Sequence, residues 1–218
     1  MYSINMLPDG RVQLVDQRGK SNRTRYVALE SLISVFSQQS IASPTLPPGS
    51  IQFWRGGGYH VVALQRPAHV RTMYMYDEPY KLPMPDTLFL FRVQKESDLE
   101  IKLIEAAVFA MKGPWNGGDT QLFDFPYGNV FDDRTICWGD YNVKLSQFHH
   151  LDMVTEMFFD TPFNTDLAGV YDDGTDECEN LVDFWESVKE KETFPLERLY
   201  FACNYSEVTS VMADDIFH

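Results

Sequence analysis

The chain has 218 residues, enough for one large domain or one domain with an ordered extension. Hydrophobic side chains make up 44% and aromatics 14%, which supports a substantial core and argues against disorder over most of the length. The net charge of −14 is unevenly placed: residues 1–150 hold 15 acidic and 15 basic side chains, whereas residues 151–218 hold 17 and 3. An acidic face repels nucleic acid, so nucleic acid is excluded as a partner; the face is a solvated surface or an attraction for a basic partner.

The N-terminal stretch predicts a hairpin. SINML and RVQLVD flank Pro8-Asp9-Gly10, and Asp-Gly between alternating runs is a strong turn signal. Leu29, Leu32, Ile33 and Phe36 then fall on one helical stripe. The Ser- and Pro-rich stretch 38–50 ends it and sets a boundary, with residues 1–45 as an extension or part of the core and 46–218 as the main domain.

Five strand signals follow between Ile51 and Met111: IQFW, YHVVALQ, HVRTMYMY, DTLFLFRVQ and LEIKLIEAAVFAM. Short connections, such as RGGG and KESD, favour an antiparallel meander, because a parallel pair needs a crossover of about a dozen residues. GPWNGGD breaks the pattern at 113–119. Helical spacing returns at Leu145, Phe148, Val154 and Met157, and more clearly at Leu181, Phe184, Trp185 and Val188. The fold class is therefore α+β, an antiparallel β-meander packed against helices, with an N-terminal hairpin extension. The aromatics Phe158, Phe159 and Phe163 read as core.

No run approaches the ~18 apolar residues of a membrane span. The opening residues lack the basic-then-apolar pattern of a secretory leader. Cys137, Cys178 and Cys203 are too few and too scattered for a disulfide framework or a metal knuckle, so a cytoplasmic protein without a metal is expected. Adjacent His149 and His150 point to different sides of a helix and suit no metal site.

The chemistry centres on YGNVFDDRTIC, residues 127–137. A lone cysteine starts as a buried core residue. No histidine pairs with Cys137 in the manner of a papain-like protease. Thioester exchange and aminolysis need less, because the acyl group arrives already activated. The site must hold the thioester and stabilise an oxyanion, and an asparagine amide can donate to that oxyanion without titrating. Cys178 sits among carboxylates that disfavour its thiolate, and Cys203 lies in an apolar stretch.

The segment resembles the active-site region of ubiquitin-conjugating enzymes, whose His-Pro-Asn triplet precedes the catalytic cysteine by eight positions. Asn129 and Cys137 have that spacing, with Tyr127 and Gly128 where the triplet has His and Pro. It resembles more closely a divergent prokaryotic group of that fold, family D, and within it protein B of cassettes with ParB-related and ThiF-related members. The shared pattern is Asp119-Thr120-Gln121-Leu122, Pro126, Asn129-Val130-Phe131, Asp133, Cys137 and Gly139.

The resemblance implies a ubiquitin-conjugating-like fold and a transferase that carries a ubiquitin-like protein as a thioester on Cys137 and passes it to an amine. Asn129 would stabilise the oxyanion, and Asp166, Asp172 or Asp173 would orient the acceptor. The implied partners are a ThiF-like adenylating enzyme, a ubiquitin-like protein and a JAB-type metallopeptidase; no cofactor is implied. Two readings stay open beside it: an inactive binding or scaffold protein of the same fold, and a structural all-β subunit with Cys137 buried.

Overall fold

The computed structural model describes residues 2–6, 11–16, 23–28, 44–56, 59–97, 100–139, 143–167 and 180–208. It divides into two compact units, Met1–Pro44 and Thr45–His218.

The first unit is a three-stranded antiparallel sheet of β1 (Tyr2–Met6), β2 (Arg11–Asp16) and β3 (Arg23–Ala28), in that order. β1 and β2 are the expected hairpin, with Met6 opposite Val12. β3 was not expected. Its side chains are mostly exposed, so it carries no apolar alternation to betray it. A cross-strand pair holds it instead: Gln13 lies opposite Tyr26 and its Nε2 donates to the phenol oxygen at 3.2 Å. The turn at Pro8-Asp9-Gly10 and the helix expected through Leu29 and Phe36 lie outside the described residues.

The second unit is built on a mostly antiparallel framework. β4 (Ser50–Gly56), β5 (Tyr59–Arg66), β8 (Asp86–Lys95), β9 (Ile101–Met111), β10 (Gln121–Asp124) and β12 (Phe201–Asn204) form one sheet in the order β12-β10-β9-β8-β5-β4. β11 (Lys144–Leu145) pairs with β9 as well. Thr87 to Phe91 of β8 are all buried, because both faces of the sheet are covered. Phe89, Phe91, Val108 and Ala110 face one core with the helices. Leu88, Leu90, Ala107 and Phe109 face another, closed by Leu122, Tyr205 and Val208.

Two features depart from the simple meander. There are six strands between Ser50 and Met111, and β5 pairs directly with β8. Between them in sequence, β6 (His69–Met75) and β7 (Glu78–Met84) form a separate two-stranded sheet. β7 contains Pro79 and Pro83, which lack a backbone N–H, and Pro85 follows it. Such a strand suits an edge rather than the middle of a sheet, and its prolines read as loop in the sequence. Met73, Met75, Leu82 and Met84 bury themselves in the helix-side core.

Helix α1 (Leu151–Asp160) follows a 3₁₀ turn at Phe148–His150, and α2 is Leu181–Val188. α2 realises the expected stripe: Leu181, Phe184, Trp185 and Val188 are all buried. Asn180 caps it by accepting from the Asp183 N–H at 3.0 Å. For α1 the phase differs from expectation. Leu145 lies in β11 and Met157 is exposed; the buried stripe is Leu151, Val154, Phe158 and Phe159. Phe163 is buried beside them, so the three phenylalanines are core as expected.

Charge fastens α1 to β5 and β6. Arg66 pairs with Asp152, and Arg71 reaches Asp160 at 2.7 Å and Glu156 at 3.3 Å while its guanidinium lies 4.4 Å from the Phe159 ring centre. Part of the C-terminal acidic excess is therefore used internally.

Candidate functional site

The far edge of β9 is lined by three short segments in succession. β10 pairs at Phe109 and Ala110, residues 134–136 pair at Ala106–Val108, and β11 pairs at Ile101 and Lys102. The middle segment carries the conspicuous cysteine. Ala107 lies opposite Thr135, the Val108 N–H donates to the Arg134 carbonyl at 3.1 Å, and the Ile136 N–H donates to the Ala106 carbonyl at 2.7 Å.

Residues 129–137 fold back on themselves. Val130 lies opposite Ile136, and the Phe131 N–H donates to the Thr135 carbonyl at 2.9 Å. The Arg134 N–H closes the turn onto the Phe131 carbonyl at 2.8 Å, with Arg134 in the left-handed region at φ 71°. Asp133 Oδ1 accepts from both the N–H and the hydroxyl of Thr135, and Arg134 Nε pairs with Asp124 at 2.9 Å. The Cys137 N–H then donates to the Asn129 carbonyl at 2.9 Å. The eight-residue spacing thus brings Asn129 and Cys137 side by side across a tight hairpin. Cys137 is partly exposed, and Asn129 is buried.

The turn that presents Asn129 has two left-handed residues in a row, Gly128 at φ 94° and Asn129 at φ 54°. Asparagine tolerates that conformation better than most residues. Gly128 also has no room for a side chain: an added Cβ would stand 2.9 Å from Leu181 Cδ2. Tyr127 is fully buried, its ring among Phe125, Phe184, Trp185 and Phe194, and its hydroxyl donates to the Pro83 carbonyl. Asn129 Nδ2 donates to the Pro162 carbonyl at 3.2 Å. The next residue, Phe163, runs alongside β6, exchanging hydrogen bonds of 2.7 Å with Tyr74 and Tyr76. The β6–β7 hairpin, of which the expected meander had only β6, therefore supports this turn: β7 holds Tyr127, and β6 holds the segment that holds Asn129.

Asp166 is exposed, two residues beyond Asn164, whose carbonyl lies 3.7 Å from the Cβ position at Gly128. It belongs to the segment beside the Asn129 turn. Asp172, Asp173 and Cys178 lie outside the described residues. Cys203 sits in β12, where burial pushes its thiol up. The rings of His149 and His150 meet edge to face in the 3₁₀ turn, their centres 4.2 Å apart, and no cluster that could hold a metal occurs among the described residues.

Three parts of the arrangement escape sequence reasoning: Tyr127 as a clamp, the Pro162 carbonyl, and Glu105. Glu105 lies opposite Arg92 on the neighbouring strand. Burial pushes its carboxyl up to about 7, with Arg92 opposing and Asp133 adding to the rise. Its signal was present as a lone carboxylate within the apolar run LIEAAVF.

An asparagine and a partly exposed cysteine thus stand side by side at the border of an antiparallel sheet. The family model for prokaryotic E2 family D matches residues 27–201. The chain belongs to that family and is a ubiquitin-conjugating-like protein. Comparison with curated proteins and with solved structures gave no match. No helix among the described residues is long and apolar enough to cross a membrane.

Proposed function

We propose that this protein accepts a ubiquitin-like protein as a thioester on Cys137 and transfers it to an amine. The observation that carries this reading is the 2.9 Å bond from the Cys137 N–H to the Asn129 carbonyl, which sets a partly exposed cysteine beside an asparagine held in a tight turn. The Asn129 amide has two N–H donors, and Pro162 uses one. The other would donate to the oxyanion of the tetrahedral intermediate. Tyr127 and Gly128 do the work of holding the turn, through the Pro83 bond and the close fit against Leu181.

In this reading residues 46–218 form the ubiquitin-conjugating-like domain and 1–45 the extension. The donor is a ThiF-like adenylating enzyme charged with the ubiquitin-like protein, and a JAB-type metallopeptidase is a further partner. The finer assignment is protein B of the ParB-related and ThiF-related cassettes, in the cytoplasm. Asp166 is the acceptor-orienting candidate beside the Asn129 turn; Asp172 and Asp173 remain candidates from sequence.

Incubation with the ThiF-like enzyme, ATP and the ubiquitin-like protein should give an adduct on Cys137 that thiol reductant cleaves. Cys137→Ala should abolish it, and Cys137→Ser should give a reductant-resistant oxyester. Asn129→Gly keeps the left-handed backbone but removes the amide; loading should survive while transfer to an amine slows by roughly 10²–10³-fold. An adduct that maps to Cys178 or Cys203 would refute the assignment. Absence of any adduct favours the inactive binding or scaffold protein, for which the Asn129–Pro162 bond alone justifies the asparagine.

A further inference from the structure

The face on which the thiol lies follows from two independent observations. Ile136 belongs to the helix-side core and Trp138 packs against it, its ring 6.2 Å from that of Phe158. Side chains alternate along an extended segment, so Cys137 between them projects to the opposite face of the sheet. The pairing with β9 gives the position on that face. With Ala107 opposite Thr135 and Ala106 bonded to Ile136, the same register sets Glu105 across from Cys137. Glu105 shares a face with Ala107, which belongs to the second core, the one closed by Tyr205 and Val208. Residues directly opposite on one face have Cβ atoms about 4.5–5.5 Å apart, within reach of a glutamate carboxyl.

We propose that Glu105 is the proton acceptor for the Cys137 thiol in thioester exchange, a role that rests on the function proposed above. The S–H bond of Cys137 breaks and its proton passes to the Glu105 carboxylate. The freed electron pair forms the new bond from sulfur to the thioester carbonyl carbon. The old carbon–sulfur bond breaks, its pair leaving on the donor's thiolate. That thiolate takes the proton from Glu105, which returns to its starting state, so nothing else is consumed.

The surroundings suit this cycle. The charged groups that act on Glu105 are Arg92 from β8 and Asp133 from the hairpin. Burial and Asp133 favour the protonated acid and Arg92 favours the carboxylate, which leaves the group near neutrality, where it can both accept and release a proton. Thr135, on the same face, ties down Asp133 through two bonds to Oδ1, so the charge beside Glu105 is fixed in place. The absence of a histidine beside the thiol in sequence is then no obstacle to chemistry.

A small thioester, phenyl thioacetate, tests the step on the full chain without any partner, with acylation located by peptide mass mapping. Cys137 of the wild type should acylate with a rate that rises through an inflection near pH 7, Glu105's own titration. Glu105→Gln should lower the rate by about 10²-fold and remove the inflection near pH 7. Glu105→Asp should restore part of the rate and an inflection of its own, which a purely structural role would not do. A Gln variant with the wild-type rate and pH profile overturns the role of Glu105 and leaves the proposed function standing. A wild-type Cys137 that resists acylation at every pH overturns both.

Discussion

The paired strands β8 and β9 and the hairpin at 129–137 touch each other, yet they are held by opposite means. β8 and β9 align from Asp86–Met111 to Lys95–Ile101 in a ladder with one bulge, and most of their side chains are buried. The hairpin has only single bridges to its neighbours, two left-handed residues entering it and a third in its turn. Its stability comes from named polar contacts with defined partners: Tyr127 to Pro83, Asn129 to Pro162, Arg134 to Asp124 and Thr135 to Asp133. Apolar burial is tolerant of detail, whereas a site that must hold a thiol and an amide in register needs directional contacts. The scaffold therefore determines whether the protein folds, and the contacts determine whether the site is aligned.

The largest expected effect sharpens the first half of that contrast. Phe158 is buried and meets Phe89, Phe125, Phe159, Phe163 and Trp138 ring against ring. Phe158→Ala should cost about 3–5 kcal/mol, the range for a buried aromatic whose cavity cannot fully close. The urea midpoint reads this directly. A loss under about 1 kcal/mol would mean that the helix-side core is loosely packed and that the contrast is false.

Gly128→Ala probes the other half with a smaller change. A methyl group there meets Leu181 of α2 at 2.9 Å and must adopt φ 94°. The expected cost is about 1–3 kcal/mol from strain and overpacking. Gly117 is the control: it has φ 109° but nothing within 4 Å, so Gly117→Ala carries the backbone cost alone. The difference between the two midpoints isolates the contact with α2. The Gly128 variant should also slow thioester formation on Cys137 more than its stability loss accounts for; equal effects in the two variants would break the link between α2 and the site.

The same contrast explains what was legible in the sequence. Long apolar runs such as LFLFRV announce strands wherever they fall, and the 3.6-residue stripe of Leu181, Phe184, Trp185 and Val188 announced α2. The neighbourhood of Asn129 and Cys137 was legible for a local reason: eight residues with a turn between them close a hairpin, so spacing alone brings the ends together. What depended on distant partners was not legible. Pro162 and Pro83 act through backbone carbonyls, which every residue possesses, so no residue type marks them. Tyr127 reads as one more core aromatic until its hydroxyl is seen to have a target. β7 was hidden by the prolines that confine it to a two-stranded edge. α1 was misphased because Met157 is apolar and yet faces outward.

Glu105 gives the smallest effect and the one with a sign. Its carboxyl is held at about 7 in the folded protein, above the usual 4.5, chiefly by burial. Between those values the folded state keeps a proton that the unfolded chain has lost. Stability therefore falls as pH rises through that window, and the penalty is complete above pH 7 and absent below the unfolded value. At full strength a shift of this size corresponds to ~3 kcal/mol. The group is only partly buried and faces Arg92, so solvent screening reduces the expected penalty to ~1 kcal/mol. Glu105→Gln has no such proton to lose. Its stability should match the wild type near the lower end of the window and exceed it by ~1 kcal/mol above the upper end. Urea midpoints for both proteins across that window measure the gap. A gap that stays constant with pH would show that Glu105 titrates alike in the folded and unfolded states, and would remove the carboxyl near neutrality on which its proposed exchange with Cys137 depends.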